Sequence, residues 1–125
     1  MAGSKTILFV EDDKPISEMY ARVLTKHGYD VDFAFNGDEG LTKAQAKPYD
    51  LILLDIMMPG QTGIEVLKVL RGPDGKGTPS TKIIVLTNLA SDQTSQDALG
   101  ARADGYLVKA DVVPSELATI IGQII

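Results

Sequence analysis

Four acidic residues occur where short apolar segments of the chain end. Glu11, Asp12 and Asp13 directly follow one such segment, and Asp55 directly follows another. Carboxylates that are brought close together repel one another and raise each other's pKa values. A hard divalent cation relieves this repulsion, and Mg²⁺ suits such a site because it binds one or two carboxylates and retains several waters. If the fold brings these residues together, they predict a site for Mg²⁺, or alternatively Mn²⁺.

Asp55 is also a candidate nucleophile, because carboxylates form aspartyl-phosphates in phosphoryl-transfer reactions. A phosphoryl group in transfer needs cations and hydrogen-bond donors around its oxygens. Thr87 and Lys109 close two further apolar segments and offer a hydroxyl donor and a positive charge. Each residue taken alone also has a structural interpretation: Asp55 could cap a turn, Thr87 could be an ordinary strand residue, and Lys109 could be solvated.

Short apolar runs alternate with longer amphipathic segments, a pattern that predicts five strands and five helices. Strands are predicted at Thr6–Val10, Tyr29–Phe35, Leu51–Leu54, Lys82–Thr87 and Gly105–Val108. Helices are predicted between the cap Asp13 and Gly28, at Asp38–Lys47, Thr62–Arg71 and Ser91–Leu99, and from Pro114 onward. The second strand alternates polar and apolar residues, which is typical of a strand near a sheet edge.

Apolar strands that alternate with helices imply a parallel sheet covered on both faces, that is, a doubly wound α/β fold. In such folds the functional crevice lies outside the carboxyl ends of the strands. The candidate residues all lie at predicted carboxyl ends, so we expect them to converge although they are far apart in sequence: Glu11, Asp12, Asp55, Thr87 and Lys109.

The composition is that of an ordinary globular domain. With 125 residues, 44% hydrophobic and 23% charged, the chain predicts a single domain over residues 1–125 with its core at about 6–125. A net charge of -5 argues against direct nucleic-acid binding and against docking on anionic membranes. Apolar runs of at most four residues exclude a membrane-spanning helix. The absence of cysteine excludes disulfides and fits a cytoplasmic location.

Four sequence blocks at the predicted strand ends resemble one family. They are Ile-Leu-Phe-Val-Glu-Asp-Asp at 7–13, Leu-Ile-Leu-Leu-Asp-Ile-Met-Met-Pro-Gly at 51–60, Ile-Val-Leu-Thr-Asn at 84–88 and Gly-Tyr-Leu-Val-Lys at 105–109. From about Thr6 to Ile125 the chain resembles the receiver domains of bacterial two-component response regulators. The resemblance implies a chemotaxis-receiver-like fold with the flavodoxin-like strand order 2-1-3-4-5. It also implies a phosphorelay switch, phosphorylated by a histidine kinase or phosphotransfer protein. No output domain is expected within this sequence, which is either a stand-alone receiver or part of a longer protein.

The resemblance assigns a role to each acidic residue of the site. Asp55 corresponds to the phosphoacceptor. Glu11 and Asp12 correspond to the acidic pair that holds Mg²⁺, with Asp12 as the expected direct ligand. Met57 supplies a backbone carbonyl in the same metal site, and Asp13 is interpreted as a helix-start residue.

The resemblance also assigns the switch residues, and the chain departs from the family beside them. Thr87 corresponds to the switch hydroxyl, Lys109 to the phosphate-binding lysine and Tyr106 to the aromatic side chain that changes rotamer. Ala110 stands where the family usually has a proline after a cis peptide bond, and Asn88 stands where a small residue is usual. A cis bond before a non-proline residue costs about 2.5–4 kcal/mol, so this geometry is not expected to carry over unchanged.

Two further departures concern the lifetime of the phosphorylated state. Met57 and Leu89 are apolar at positions where many receivers are polar and where the family tunes its own dephosphorylation. Apolar side chains there should shield an acyl phosphate from water. With Asn88 beside Thr87, we expect self-dephosphorylation to be slower than in a variant with polar residues at both apolar positions. The alternative is that Asn88 positions an attacking water.

Two other functions use or imitate an aspartyl nucleophile beside Mg²⁺. A haloacid-dehalogenase-like phosphatase usually has a second Asp where this chain has Met57, and it carries a cap domain. A pseudo-receiver shares the fold and only binds partners, but here the acidic residues, Thr87 and Lys109 are all present. The sequence therefore favours a signalling module, which promotes only its own phosphorylation and dephosphorylation, over an enzyme.

The C-terminal segment predicts a partner surface. Leu117, Ile121 and Ile124 have the spacing of a helix face that packs on the sheet, which leaves Ile120 and Ile125 over. In the receivers that this chain resembles, the face made by the fourth helix, fifth strand and fifth helix contacts partners or a second copy. We expect Ile120 to border an apolar patch used for a downstream protein partner or self-dimer; the alternative is that Ile120 belongs to the core.

Overall fold

The computed structural model describes residues 5–56, 58, 62–72, 81–87, 102–109 and 112–125. Within these ranges the strands are β1 (Thr6–Val10), β2 (Asp30–Ala34), β3 (Leu51–Leu54), β4 (Lys82–Thr87) and β5 (Gly105–Val108). The helices are α1 (Lys14–Lys26), α2 (Gly37–Ala46), α3 (Gly63–Arg71) and a C-terminal helix (Pro114–Ile124). The predicted helix Ser91–Leu99 lies outside the described residues.

The five strands form one parallel sheet in the order β2-β1-β3-β4-β5, which confirms the predicted fold. The predicted bounds of β1, β3, β4 and β5 are those observed. The strand with the alternating pattern, β2, lies at a sheet edge as predicted, and it is one residue shorter at each end than expected.

Alternate residues of the central strands face two separate cores. Leu8 and Val10 of β1 pack on the side covered by α2 and α3. Ile7 and Phe9 pack on the opposite side, against α1 and the C-terminal helix. Because both faces are buried, these strands are continuously apolar, as expected for a doubly wound sheet.

Local capping explains where α1 and α3 begin. The Asp13 carboxylate accepts a hydrogen bond from the Ile16 amide at 3.1 Å, which confirms its interpretation as a helix-start residue. Thr62, predicted as the first residue of α3, is instead its cap: its hydroxyl accepts from the Glu65 amide, and the Glu65 carboxylate accepts from the Thr62 amide. These caps fix the starts of the two helices that flank the acidic residues.

The inward face of α1 differs from the apolar pattern of its sequence. The apolar residues that recur there at helical spacing are Ile16, Met19, Tyr20, Val23 and Leu24. Of these, Met19 is 46% exposed, whereas Ser17, which is not in this series, is fully buried. The Ser17 hydroxyl donates to the Glu11 carbonyl at 3.4 Å, so a small polar residue lets α1 approach the end of β1. In the described part of the chain, no helix is both long and apolar enough to cross a membrane.

Candidate functional site

The parallel register places Glu11 and Asp55 side by side at the carboxyl edge of the sheet. Val10 at the end of β1 pairs with Leu54 at the end of β3, and each acidic residue is the next along its chain. The Asp55 amide donates to the Val10 carbonyl at 3.0 Å, and the Glu11 amide donates to the Ala34 carbonyl at 2.9 Å. The backbone amides of both residues thus continue the hydrogen-bond pattern of the sheet beyond the ends of the strands.

Glu11, Asp12 and Asp55 form a carboxylate cluster. One oxygen from each residue lies within 4.8 Å of the other two. Glu11 and Asp55 are buried, with exposed fractions of 2% and 4%, and Asp12 is exposed. The cluster is therefore closed by protein on one side and reachable from solvent through Asp12. These all-oxygen, anionic donors have the chemistry of an Mg²⁺ site.

Lys109 supplies the positive charge of the site from the end of β5. Its ammonium donates to Asp55 Oδ2 at 3.2 Å and also to Glu11 Oε2. Its side chain is only 9% exposed. Because β4 lies between β3 and β5, the side chain of Lys109 extends past the end of β4. It thereby links the ends of β5, β3 and β1.

The pKa values reflect this crowding of buried charges. Burial raises the pKa of Glu11 to about 7, and the charge of Asp55 adds to the rise, while the hydrogen bond from Lys109 opposes it. For Lys109, burial acts to lower the pKa, but the hydrogen bond to Glu11 and the charge of Asp55 outweigh it and raise the pKa. Lys109 therefore stays charged and offsets part of the repulsion between the carboxylates.

Of the remaining predicted site residues, Thr87 lies at the same edge, Tyr106 lies within β5, and the others lie outside the described part of the chain. Thr87 ends β4, where its backbone pairs in register with Val108, the residue before Lys109; its side chain lies outside the described residues. Tyr106 is partly buried in β5 and packs against the core beside α2 and α3. Met57, Asn88, Leu89 and Ala110 also lie outside the described residues.

One residue in contact with the site was not predicted from the sequence. Gly63, the first residue of α3, touches the backbone of Asp55 and Ile56, and its amide donates to the Ile56 carbonyl at 3.0 Å. The sequence signal was a glycine at the second position of the predicted helix Thr62–Arg71. A glycine near the start of a predicted helix is also typical of an ordinary connection, because glycine is frequent in connections of every kind.

Comparison with known proteins gives a consistent result. Residues 7–121 match the family model described as "response regulator receiver domain". The chain is 41% identical over 114 residues to the transcriptional regulatory protein DltR of Streptococcus agalactiae, a match that covers 91% of this chain and 49% of that protein. The chain thus spans about half the length of this curated relative.

Solved structures show the same fold. The chemotaxis protein CheY4 of Vibrio cholerae is 32% identical to this chain and aligns with a TM-score of 0.89. The alignment covers 98% of this chain and 100% of that one. A response regulator protein from Burkholderia pseudomallei is 30% identical to this chain and aligns with a TM-score of 0.81. The alignment covers 96% of this chain and 72% of that one. The latter structure is described as containing a phosphorylated aspartic acid, a calcium ion and citrate.

Proposed function

Because this chain belongs to the receiver domains of two-component response regulators, we propose that it is a phosphorelay switch whose Asp55 takes a phosphoryl group in an Mg²⁺-dependent reaction. The donor is a phosphohistidine of a partner histidine kinase or phosphotransfer protein. One observation carries this proposal: the buried Asp55 carboxylate lies within 4.8 Å of the Glu11 and Asp12 carboxylates and 3.2 Å from the Lys109 ammonium.

In the proposed reaction, a carboxylate oxygen of Asp55 forms a bond to phosphorus while the bond between phosphorus and the donor imidazole nitrogen breaks. The imidazole keeps the electron pair of that bond. The sheet hydrogen bond at the Asp55 amide fixes the acceptor at the strand end. Lys109 lies close enough to Asp55 to place a positive charge beside the transferred phosphoryl oxygens. Thr87, at the end of the neighbouring strand, is proposed to supply a hydroxyl donor to them.

Glu11, Asp12 and Asp55, with the Met57 carbonyl, are the residues that we propose hold Mg²⁺. The described donors fit this ion because all of them are carboxylate oxygens and because Asp12 keeps the cluster open to solvent. When bound, the cation neutralises charge that develops on the phosphoryl oxygens. Mn²⁺ fits the same donors. The divalent ion and phosphorylated aspartate described for the Burkholderia pseudomallei protein support this assignment by similarity.

The proposed acceptor can be tested with acetyl phosphate and Mg²⁺. The wild-type protein should gain one phosphoryl group by intact-mass spectrometry, and Asp55→Asn should gain none, because an amide is not a competent nucleophile. Asp50→Asn is a suitable control, since Asp50 lies at the opposite end of β3 and accepts a hydrogen bond from the Thr6 amide. Full labelling of Asp55→Asn would place the acceptor elsewhere.

We propose that the signal leaves the site through Thr87 and Tyr106, by a shift between conformations that already exist. The partner surface would include Ile120 on the C-terminal helix. Ile120 is partly exposed, and it is absent from both described core clusters, whereas Leu117 and Ile121 are fully buried. This placement supports the patch over the alternative that Ile120 is core, with a downstream protein or a second copy as the partner.

The domain assignment and cellular setting are further proposals. We propose that residues 1–125 form a single receiver domain, with its core from about Thr6 onward, located in the cytoplasm. Its own chemistry would be limited to its phosphorylation and dephosphorylation. With a net charge of -5, this domain is not expected to bind nucleic acid directly.

A further inference from the structure

Gly63 packs against the acceptor more closely than any residue with a side chain could. A Cβ atom added to Gly63 would lie 2.2 Å from the Asp55 carbonyl oxygen and 2.8 Å from the Asp55 carbonyl carbon. It would also lie 2.8 Å from the Ile56 Cα. All three atoms belong to the backbone, so no rotation of a side chain can relieve the contact.

The need for glycine at this position comes from space alone. Among the described glycines, only Gly28 and Gly72 have positive φ values. Gly63 thus has a backbone conformation that other residues adopt without strain. What sets it apart is that α3 begins directly against the peptide that follows Asp55.

The Asp55 backbone cannot easily retreat from this contact. On the sheet side, its amide donates to the Val10 carbonyl at 3.0 Å. On the helix side, the Gly63 amide donates to the Ile56 carbonyl at 3.0 Å. The peptide that bears the acceptor is therefore held between β1 and the first turn of α3. These two contacts together determine where the acceptor carboxylate lies.

We infer that Gly63 is a positioning residue for Asp55: its bare Cα lets α3 set the backbone that aims the acceptor carboxylate at its acidic and lysine neighbours. This inference rests on the proposed function of Asp55. In Gly63→Ala, the contact must widen from 2.2 Å to at least 3.0 Å, by movement of either α3 or the acceptor peptide. A displacement of about 1 Å at reacting groups can cost roughly 100-fold in rate.

The test compares phosphorylation rates of fully folded proteins at saturating Mg²⁺ over a range of acetyl phosphate concentrations. Gly63→Ala should be slower by about 10-fold to 100-fold, with the loss in the maximal rate rather than in the acetyl phosphate concentration for half-maximal rate. The matched control is Gly105→Ala, whose Cβ would meet only the end of the Ile84 side chain, at 2.7 Å. Leu24→Ala adds a control that loses stability in the core distant from α3. Both controls should keep the wild-type rate.

A second variant keeps the inference testable if Gly63→Ala does not fold. Thr62→Ala removes the hydroxyl that caps α3 without adding an atom near Asp55. A frayed first turn should hold the acceptor peptide less firmly, so the maximal rate should fall by a smaller factor in the same direction.

The outcomes separate the two proposals. A wild-type protein that takes no phosphoryl group under any of these conditions would overturn the proposed function. A labelled wild type, with folded Gly63→Ala at the wild-type maximal rate, would overturn the positioning role alone. If Gly63→Ala does not fold, a wild-type maximal rate in Thr62→Ala overturns it. An equal loss of maximal rate in Leu24→Ala would also overturn it, since the effect would then follow stability and not position.

Discussion

Lys109→Met removes the only described cation that contacts the buried carboxylates, and its effect on stability can be worked from the geometry. The ammonium lies 3.2 Å from Asp55 Oδ2 and also pairs with Glu11. Side-chain exposure is 9% for Lys109, 2% for Glu11 and 5% for Asp55. At an effective dielectric constant of about 20, unit charges this far apart attract by roughly 5 kcal/mol before desolvation is counted.

The net cost is smaller than the attraction, because Lys109→Met also removes the desolvation penalty of the buried ammonium. Removing one partner of a buried ion pair typically costs about 3–5 kcal/mol, since the remaining charge is left uncompensated. We expect Lys109→Met to lie near the lower end, about 3 kcal/mol. Glu11, whose pKa burial already raises to about 7, can take up a proton and cancel one of the two remaining charges.

Chemical denaturation with and without Mg²⁺ measures both parts of this prediction. Without Mg²⁺ the variant should lose about 3 kcal/mol of unfolding free energy. With Mg²⁺ it should recover more stability than the wild type gains, because the cation compensates the same carboxylates. Lys82→Met is the control: Lys82 is exposed at the start of β4, so its loss should change stability by less than about 0.5 kcal/mol.

Two results would refute this reasoning about the pocket. The first is a loss below about 1 kcal/mol for Lys109→Met without Mg²⁺, well under the cost of breaking a buried pair. The second is an equal gain from Mg²⁺ in variant and wild type. Either result would mean that the ammonium does not balance the Glu11 and Asp55 carboxylates.

Three further predictions test the metal site, the hydrogen bonds of the buried Arg71 and the partner surface. Asp12→Ala should weaken Mg²⁺ binding by about tenfold or more in titration calorimetry, while the exposed Glu18→Ala on α1 should not; equal affinities would remove Asp12 from the site. Arg71→Met should lower unfolding free energy by roughly 3 kcal/mol, because its buried guanidinium donates to two backbone carbonyls and a carboxylate; Lys68→Met, on the exposed side of α3, should cost little, and an equal effect would contradict this. Ile120→Lys should leave stability nearly unchanged and reduce any association of the beryllofluoride-bound protein in sedimentation; a large stability loss with monomers in both states would place Ile120 in the core.

The sequence determined most of the secondary structure and the kind of chemistry. Continuous apolar runs marked β3 (Leu51–Leu54) and the centre of β4 (Ile83–Leu86), because a strand that is buried on both faces does not alternate between apolar and polar residues. The strand-end positions of Asp55 and Lys109 followed from the same pattern. The strand order was different: it came from the family resemblance, since apolar periodicity does not say which strands are neighbours.

Within the site, the sequence named the members but not their environments. Glu11 and Asp12 are adjacent acidic residues, and residue type alone does not predict which of them is buried. In the structure Glu11 is buried and Asp12 is exposed. On α1, periodicity favoured Met19 as a core residue, while packing against the end of β1 selected the small Ser17. Both outcomes depend on how closely separate elements pack in the folded chain, and the local sequence does not determine that packing.

Tertiary structure alone decided how the charges pair and where the acceptor is held. Lys109 bonds to Glu11, 98 residues away in the chain, and the ends of three strands must converge before that contact exists. Gly63 became significant only when α3 lay against the Asp55 carbonyl, because a missing Cβ matters only where another backbone occupies its place. Residue type and spacing set what the side chains can do, and the long-range packing of the sheet and α3 sets which of them meet.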